Sequence, residues 1–152
     1  MKISTHISYK ESVRSNTATK LNIANIPPEE ALSNMQEIAY KVFEPLRKWV
    51  EGPIRVNSFY RSEDLNRAVG GSRSSQHCKG QALDLDDTFG CKTNAEMFNY
   101  IKDRLSFDQL IWEFGDDDNP DWIHVSYVSE DKNRKRALRA LKVSGRTQYV
   151  QI

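Results

Sequence analysis

The sequence predicts an α+β fold in which N-terminal helices pack on a small antiparallel sheet. Two observations lead to this prediction: apolar residues recur at helical spacing through residues 29–50, and two alternating segments, 107–114 and 122–128, come late in the chain. Helices first and clustered strands later are typical of α+β domains. The 152 residues contain no repeat and no long Gly/Ser/Pro linker, so we expect one domain over 1–152.

The first third of the chain is predicted to be helical. A short helix is expected around residues 11–21 and a longer one over 29–50. Pro27 and Pro28 stand just before the longer helix, where proline suits a helix start, and Pro45 is expected to kink or split its end. The face predicted to pack in the core consists of Leu32, Met35, Ile38, Ala39, Val42, Phe43, Leu46, Trp49 and Val50.

The middle of the chain is predicted to alternate strands with shorter elements. Residues 54–60 and 82–87 alternate as strands do. Between them, Ser62 is a plausible N-cap for a short helix that ends at Gly70-Gly71, and the polar segment 72–80 is expected to be a loop.

The last third is predicted to contain a helix and a hairpin. Residues 93–105 form an amphipathic pattern that Thr93 or Asn94 can cap. The acidic, turn-rich stretch 115–121 joins the two late strands, as expected of a hairpin. The C-terminal stretch is ambiguous, because RKRALRALK (134–142) is compatible with a helix whereas TQYVQI (147–152) favours a strand.

Charge and composition limit the classes of partner. The formal net charge is only +1, and no known nucleic-acid-binding motif is present, so we expect no nucleic-acid partner. No run approaches the roughly 18 apolar residues of a membrane span. Basic residues crowd the end of the chain, which indicates a solvated face or a contact surface for an anionic polymer; they are Lys132, Arg134, Lys135, Arg136, Arg139, Lys142 and Arg146.

The N-terminus predicts where the protein is made, and the spacing of the two cysteines predicts their pairing. MKISTHISYKESVRS lacks the apolar core of a secretory signal, so we expect synthesis in the cytoplasm without a signal peptide. Cys78 and Cys91 lack CxxC spacing and are expected to be free thiols, although one internal bridge stays open.

Three residues are candidates for a metal site. A catalytic zinc typically has three protein ligands and an open position. The chain holds three histidines, of which His77 lies in the loop leading into the strand of Asp84, with Gly80 between them to allow a turn. His124 lies in a separate alternating strand that could pair beside Asp84. Spacing alone also allows the alternative that these are ordinary core or surface side chains.

A longer pattern resembles a known family. Ser75-x-His77-x-x-Gly80-x-Ala82-x-Asp84 is similar to the SxHxxGxAxD motif of the zinc D-alanyl-D-alanine metallopeptidases. That family includes D-Ala-D-Ala carboxypeptidases, vancomycin-resistance dipeptidases and phage L-alanyl-D-glutamate endolysins, and it shares its fold with the hedgehog signalling domain. The segments QLIWEFG and WIHVSY add to the resemblance, which extends from residue 29 to about residue 130.

The resemblance implies a site and a reaction. His77, Asp84 and His124 match the zinc ligands, and Glu113 matches a carboxylate that acts as general base. Arg61 matches an arginine that faces the substrate carbonyl or carboxylate. Some members place the base three residues before the last histidine, where this chain has Asp121, so Asp121 is the runner-up.

The implied substrate is the stem peptide of peptidoglycan, cut by a monomeric carboxypeptidase or endopeptidase. We expect the protein to act on the cell wall after delivery by another component, such as release through a phage-encoded pore in the manner of an endolysin. The alternative is a non-catalytic, zinc-containing module that binds the cell wall on the same fold.

Overall fold

A six-stranded sheet organises the molecule in a computed structural model that describes residues 1–152. The strands are β1 (Lys2–Ser4), β2 (Ile7–Ser8), β3 (Arg55–Ser58), β4 (Ala82–Asp86), β5 (Gln109–Glu113), β6 (Trp122–Ser126), β7 (Arg136–Val143) and β8 (Arg146–Gln151). The α-helices are α1 (Tyr9–Val13), α2 (Asn16–Leu21), α3 (Glu29–Ile38), α4 (Glu44–Val50), α5 (Glu63–Ala68) and α6 (Asn94–Arg104). The predicted α+β class is confirmed.

The helix expected around residues 11–21 is instead two short helices, α1 and α2. The side chain of Ser8 caps the first by accepting a hydrogen bond from the Glu11 amide, and Ser15 caps the second by accepting from the Ala18 amide. A capping serine favours a new helix start, because it takes an extended backbone conformation itself. Ser15 therefore divides the segment.

The long helix over 29–50 is not split at Pro45, where a kink or split was expected, but its winding changes just before that residue. Residues Ala39–Phe43 form a π-helical segment between α3 and α4, and the Glu44 amide donates to the carbonyl of Ala39, five residues back. Proline has no amide hydrogen to continue the α-helical pattern. The wider turn just before Pro45 accommodates that missing donor.

The N-caps predicted for two further helices are observed. Ser62 caps α5 through the Leu65 amide, and Thr93 caps α6 in a capping box with Glu96. The segment 72–80 is not entirely loop, because Gln76–Lys79 form a 3₁₀ helix. None of the helices is both long enough and apolar enough to cross a membrane.

The sheet has the order β3-β4-β6-β5-β7-β8 and is not wholly antiparallel. Strands β5 and β6 form the predicted hairpin, but β7 pairs with β5 in parallel. The helical alternative for residues 134–142 is wrong, since most of this stretch is β7, and β8 returns beside it as an antiparallel hairpin. The parallel pair arises because the chain crosses from the end of β6 back to the start of β5.

The two faces of the sheet have different environments. One face packs against α3, α4 and α6 and holds most of a core cluster of 26 buried residues, including Leu83, Leu110 and Val125. Alternation along the strands sends Asp84, Glu113 and His124 to the opposite face. We call this opposite face the cleft face.

Candidate metal centre and active-site cleft

Three candidate ligands from distant parts of the chain meet on the cleft face. Asp84 on β4 lies directly opposite His124 on β6, and the 3₁₀ helix before β4 brings in His77. Asp84 Oδ1 is 2.9 Å from His124 Nδ1, and Asp84 Oδ2 is 3.3 Å from His77 Nε2. One ligand atom from each residue lies within 4.8 Å of the others, so the three are positioned as possible metal ligands.

The remaining residues of the SxHxxGxAxD pattern explain this convergence. Ser75 Oγ accepts a hydrogen bond from the His77 amide and caps the 3₁₀ helix. Gly80 ends that helix with φ +72°, and a Cβ there would lie 2.5 Å from the Ala31 carbonyl oxygen. Only glycine combines this backbone conformation with such a close approach to α3. Ala82 is fully buried at the start of β4.

The orientation of His77 suits a cation. Its Nδ1 donates a hydrogen bond to the Phe59 carbonyl oxygen at 2.7 Å, which leaves Nε2 to face the Asp84 carboxylate. Nε2 is buried and has no hydrogen-bond partner. A bare Nε2 lone pair that faces a carboxylate oxygen at this distance is unfavourable unless a positive charge, either a proton on the ring or a bound cation, lies between them. The donor set of two imidazoles and one carboxylate fits zinc.

The electrostatics of Asp84 favour the charged ligand form. Burial alone would raise the pKa of this carboxyl. The positive charge of His77 and the hydrogen bond from His124 outweigh burial and hold the pKa of Asp84 far below its usual range. The lowered pKa favours the carboxylate form of Asp84, which is the form that ligates a metal.

Glu113 is a buried carboxyl on the same face, beside the three candidate ligands. It pairs across the sheet with Trp122, two residues from His124 on the same strand. Such diagonal neighbours have Cα atoms roughly 7–8 Å apart. Only 8% of Glu113 is exposed, and burial raises its pKa to about 7, with the charge of His124 opposing this rise and that of Asp84 adding to it.

Arg61 and Asp121, the other two candidates, lie in different surroundings. Arg61 lines the cleft, its amide donates to the His77 carbonyl oxygen at 3.2 Å, and its side chain contacts Ser75 Oγ at 3.4 Å. Its Nε is buried without a partner. Asp121 is exposed and does not line the cleft, because it precedes Trp122 and so points away from that side chain's face.

The cleft around these residues has a volume of about 1150 Å³. The loop 69–76 forms one wall, and the segment from Val128 into the β7–β8 hairpin forms the other. Trp122 lies on its floor, whereas Trp112 packs in the core. A cleft of this size accommodates a peptide and not only a single amino acid.

Comparison with known families agrees with this geometry. The sequence model described as peptidase M15 matches residues 5–126, which is most of the chain. The matched range includes four candidate site residues, namely His77, Asp84, Glu113 and His124. The chain belongs to the peptidase M15 family. This is the zinc D-Ala-D-Ala peptidase family, and its members are zinc metallopeptidases. No curated protein matches the chain. The family supports zinc as cofactor and zinc-dependent peptidase activity on peptidoglycan in general.

The sequence did not predict how the M15 peptidase builds the second wall of its cleft. Asp108, only 1% exposed, accepts hydrogen bonds from the amide, Nε and Nη2 of Arg134, and from Gln76 Nε2. This network fastens the C-terminal segment to the 3₁₀ helix that carries His77. The feature of the sequence that could have indicated this network is an aspartate at the start of an apolar strand, directly after a buried phenylalanine.

The C-terminal basic residues of this M15 peptidase are thus not one solvated face. Arg134 is paired with Asp108, and Arg136 lines the cleft. Thr147 and Tyr149 of β8 line it as well. Both cysteines are free, which confirms the expectation of thiols.

Proposed function

We propose that this M15 peptidase hydrolyses a peptide bond in the stem peptide of bacterial peptidoglycan, as a carboxypeptidase or an endopeptidase. One observation supports it above the rest: a buried carboxyl, Glu113, shares the cleft face with the two histidines and the aspartate that fit zinc. A metal-binding module needs the ligands alone, whereas hydrolysis also needs a base.

The three candidate ligands and Glu113 have separate roles in this proposal. His77, Asp84 and His124 would hold zinc through two neutral imidazoles and one carboxylate, so the bound ion would keep a net positive charge. Zinc held in this way would supply a bound water with a pKa of about 7 and a Lewis acid for the scissile carbonyl. The carbonyl of Phe59 keeps the His77 ring in the orientation that binding requires.

Glu113 acts as the general base in this proposal. Its carboxylate takes a proton from the attacking water and delivers it to the amine of the departing peptide. A general base works best when its pKa is close to the working pH, and burial brings Glu113 to this range in the metal-free protein. A divalent cation held by His77, Asp84 and His124 would lower this pKa and favour the carboxylate form of Glu113, which is the form that accepts the proton.

Arg61 stabilises the negative charge that develops on the substrate. Its guanidinium makes no ion pair within the protein and hydrogen-bonds only to Ser75, so its other terminal N–H donors stay available to a carbonyl or carboxylate oxygen. The hydrogen bond from its amide to the His77 carbonyl keeps Arg61 beside the metal site. A donor already in position requires little reorganisation during the reaction.

Two matched substitutions test the choice of base. Glu113→Gln preserves size but cannot accept a proton, so turnover should fall by about 10²–10⁴-fold while zinc stays bound. Asp121→Asn, three residues before His124, should change turnover little. The assay is mass spectrometry of peptides released from purified peptidoglycan, which also identifies the bond that is cut.

The opposite results would reject the proposal. Loss of cleavage in Asp121→Asn with an active Glu113→Gln would identify the other carboxylate as the base. Zinc-loaded wild-type protein that binds peptidoglycan but releases no peptide would be a binding module. A phage endolysin is the setting we favour for the reaction, and lysis of permeabilised cells by the added enzyme tests it.

A further inference from the structure

Besides Arg61, three cations line the cleft without any partner for their charge. The side chains of Lys79, Lys132 and Arg136 make no ion pair and no hydrogen bond, although all three border the cleft. Arg134, in the same region, is different because its guanidinium is committed to Asp108. The three free cations are therefore available to a ligand.

The cleft as a whole is more positive than the chain. Its lining includes five Lys and Arg residues and three Asp and Glu residues, a difference of +2, whereas the whole chain of 152 residues has a net charge of +1. A bound zinc ion adds two more positive charges. Concave sites with one sign of charge concentrate ligands of the opposite sign, so the cleft favours an acidic peptide.

The position of Arg136 is fixed relative to Glu113. Arg136 pairs with Gln109 in the sheet, and its amide donates to the Asp108 carbonyl oxygen at 2.9 Å. Gln109 and Glu113 lie four residues apart on β5, on the same face, which corresponds to roughly 13 Å. An extended peptide on the cleft face covers this distance with about four residues.

We propose that Arg136, assisted by Lys132 and Lys79, binds a carboxylate of the substrate peptide at the end of the cleft face that lies away from Glu113. This inference rests on the proposed function and specifies its substrate class as an acidic peptide long enough to span the cleft. Arg136 and Lys132 lie beyond residue 126, where the match to the family model ends, so the family match does not itself assign this contact.

The test compares two ligands and two variants. The ligands are a synthetic stem peptide with free carboxylates and the same peptide with its side-chain carboxyls amidated. The variants are Arg136→Gln and Arg146→Gln, which remove the same charge from neighbouring strands; Arg146 is exposed and does not line the cleft. Calorimetry with zinc-loaded protein measures binding, and release of product measures KM and kcat.

We expect Arg136→Gln to weaken binding of the acidic peptide and raise its KM roughly fivefold, with kcat unchanged, as for a partly exposed charge pair. The amidated peptide should be affected by neither variant, and Arg146→Gln should resemble wild type. Equal losses for both peptides, or equal losses in both variants, would overturn the inference.

Binding and turnover separate this inference from the proposed function. Charge-dependent binding without any product would support the carboxylate site and reject the peptidase. Cleavage of both peptides at equal KM in wild type would support the peptidase and reject the carboxylate site.

Discussion

Replacing Glu113 with glutamine should stabilise the metal-free protein more at pH 8 than at pH 5. Burial raises the pKa of Glu113 from 4.5 to about 7 in the fold, so the folded state holds a proton that the unfolded chain releases between these values. The stability that this proton contributes is present below pH 4.5 and is lost as the pH rises through 7. Glutamine does not titrate, so the variant does not lose this stability as the pH rises.

The size of the effect follows from the two pKa values. Each pH unit between them is equivalent to about 1.4 kcal/mol, so the charged form of Glu113 destabilises the metal-free fold by about 3 kcal/mol above pH 7. With zinc bound, the cation stabilises the carboxylate and the difference between wild type and variant should shrink.

Urea unfolding in the presence of a chelator measures this difference. Wild type, Glu113→Gln and the control Glu37→Gln, which removes an exposed carboxyl of α3, are compared at pH 5 and pH 8. The gain of Glu113→Gln over wild type should rise by about 2.5 kcal/mol between the two pH values, because about 0.8 kcal/mol of the effect is already present at pH 5, and that of the control should not change. A gain that stays constant within about 1 kcal/mol would mean that Glu113 is not held in a buried, neutral state.

Three further predictions concern the metal, the turn and the cleft wall. The protein prepared without chelator should contain about one zinc per chain by elemental analysis, and Asp84→Ala should remove most of it; absence of zinc uptake on titration would contradict the site. Gly80→Ala should lower the free energy of unfolding by at least about 2 kcal/mol, because its φ is +72° and its Cβ would meet the Ala31 carbonyl; a neutral effect in urea unfolding would show that the turn is not constrained. Asp108→Asn should lower the free energy of unfolding at pH 7 by roughly 1.5–3 kcal/mol. Burial alone would raise the pKa of Asp108, but hydrogen bonds from Arg134 hold this pKa below its usual 3.8. The loss of stability should therefore shrink as the pH falls below about 3.8. A loss that is independent of pH would argue for packing alone.

The sequence predicted those elements whose local signals agree with their surroundings. Ser62 and Thr93 cap helices where their position indicated, and residues 122–126 alternate between core and cleft as a half-buried strand should. The grouping of His77 with Asp84 was predictable because a short turn and a strand bring them together whatever the rest of the fold does.

The C-terminal hairpin could not be predicted in the same way. Charged residues at 136, 139 and 142 recur every third position, which imitates a helix. In the fold, Ala137 faces the core and Leu138 the opposite, largely covered side, so β7 lacks the polar and apolar alternation of a strand with one wet face. Its pairing with β5 is a long-range contact that no local pattern reports.

That pairing has a consequence for the rigidity of the proposed base. With β7 on one side and β6 on the other, β5 is an interior strand, and the unpaired border of the sheet is moved outward to the exposed β8. Amide hydrogens of an interior strand exchange with solvent only when a larger unit of the protein opens, whereas those of a border strand exchange by local fraying. Glu113 therefore sits on backbone that should be among the slowest to exchange, held by a segment that supplies none of the candidate metal ligands.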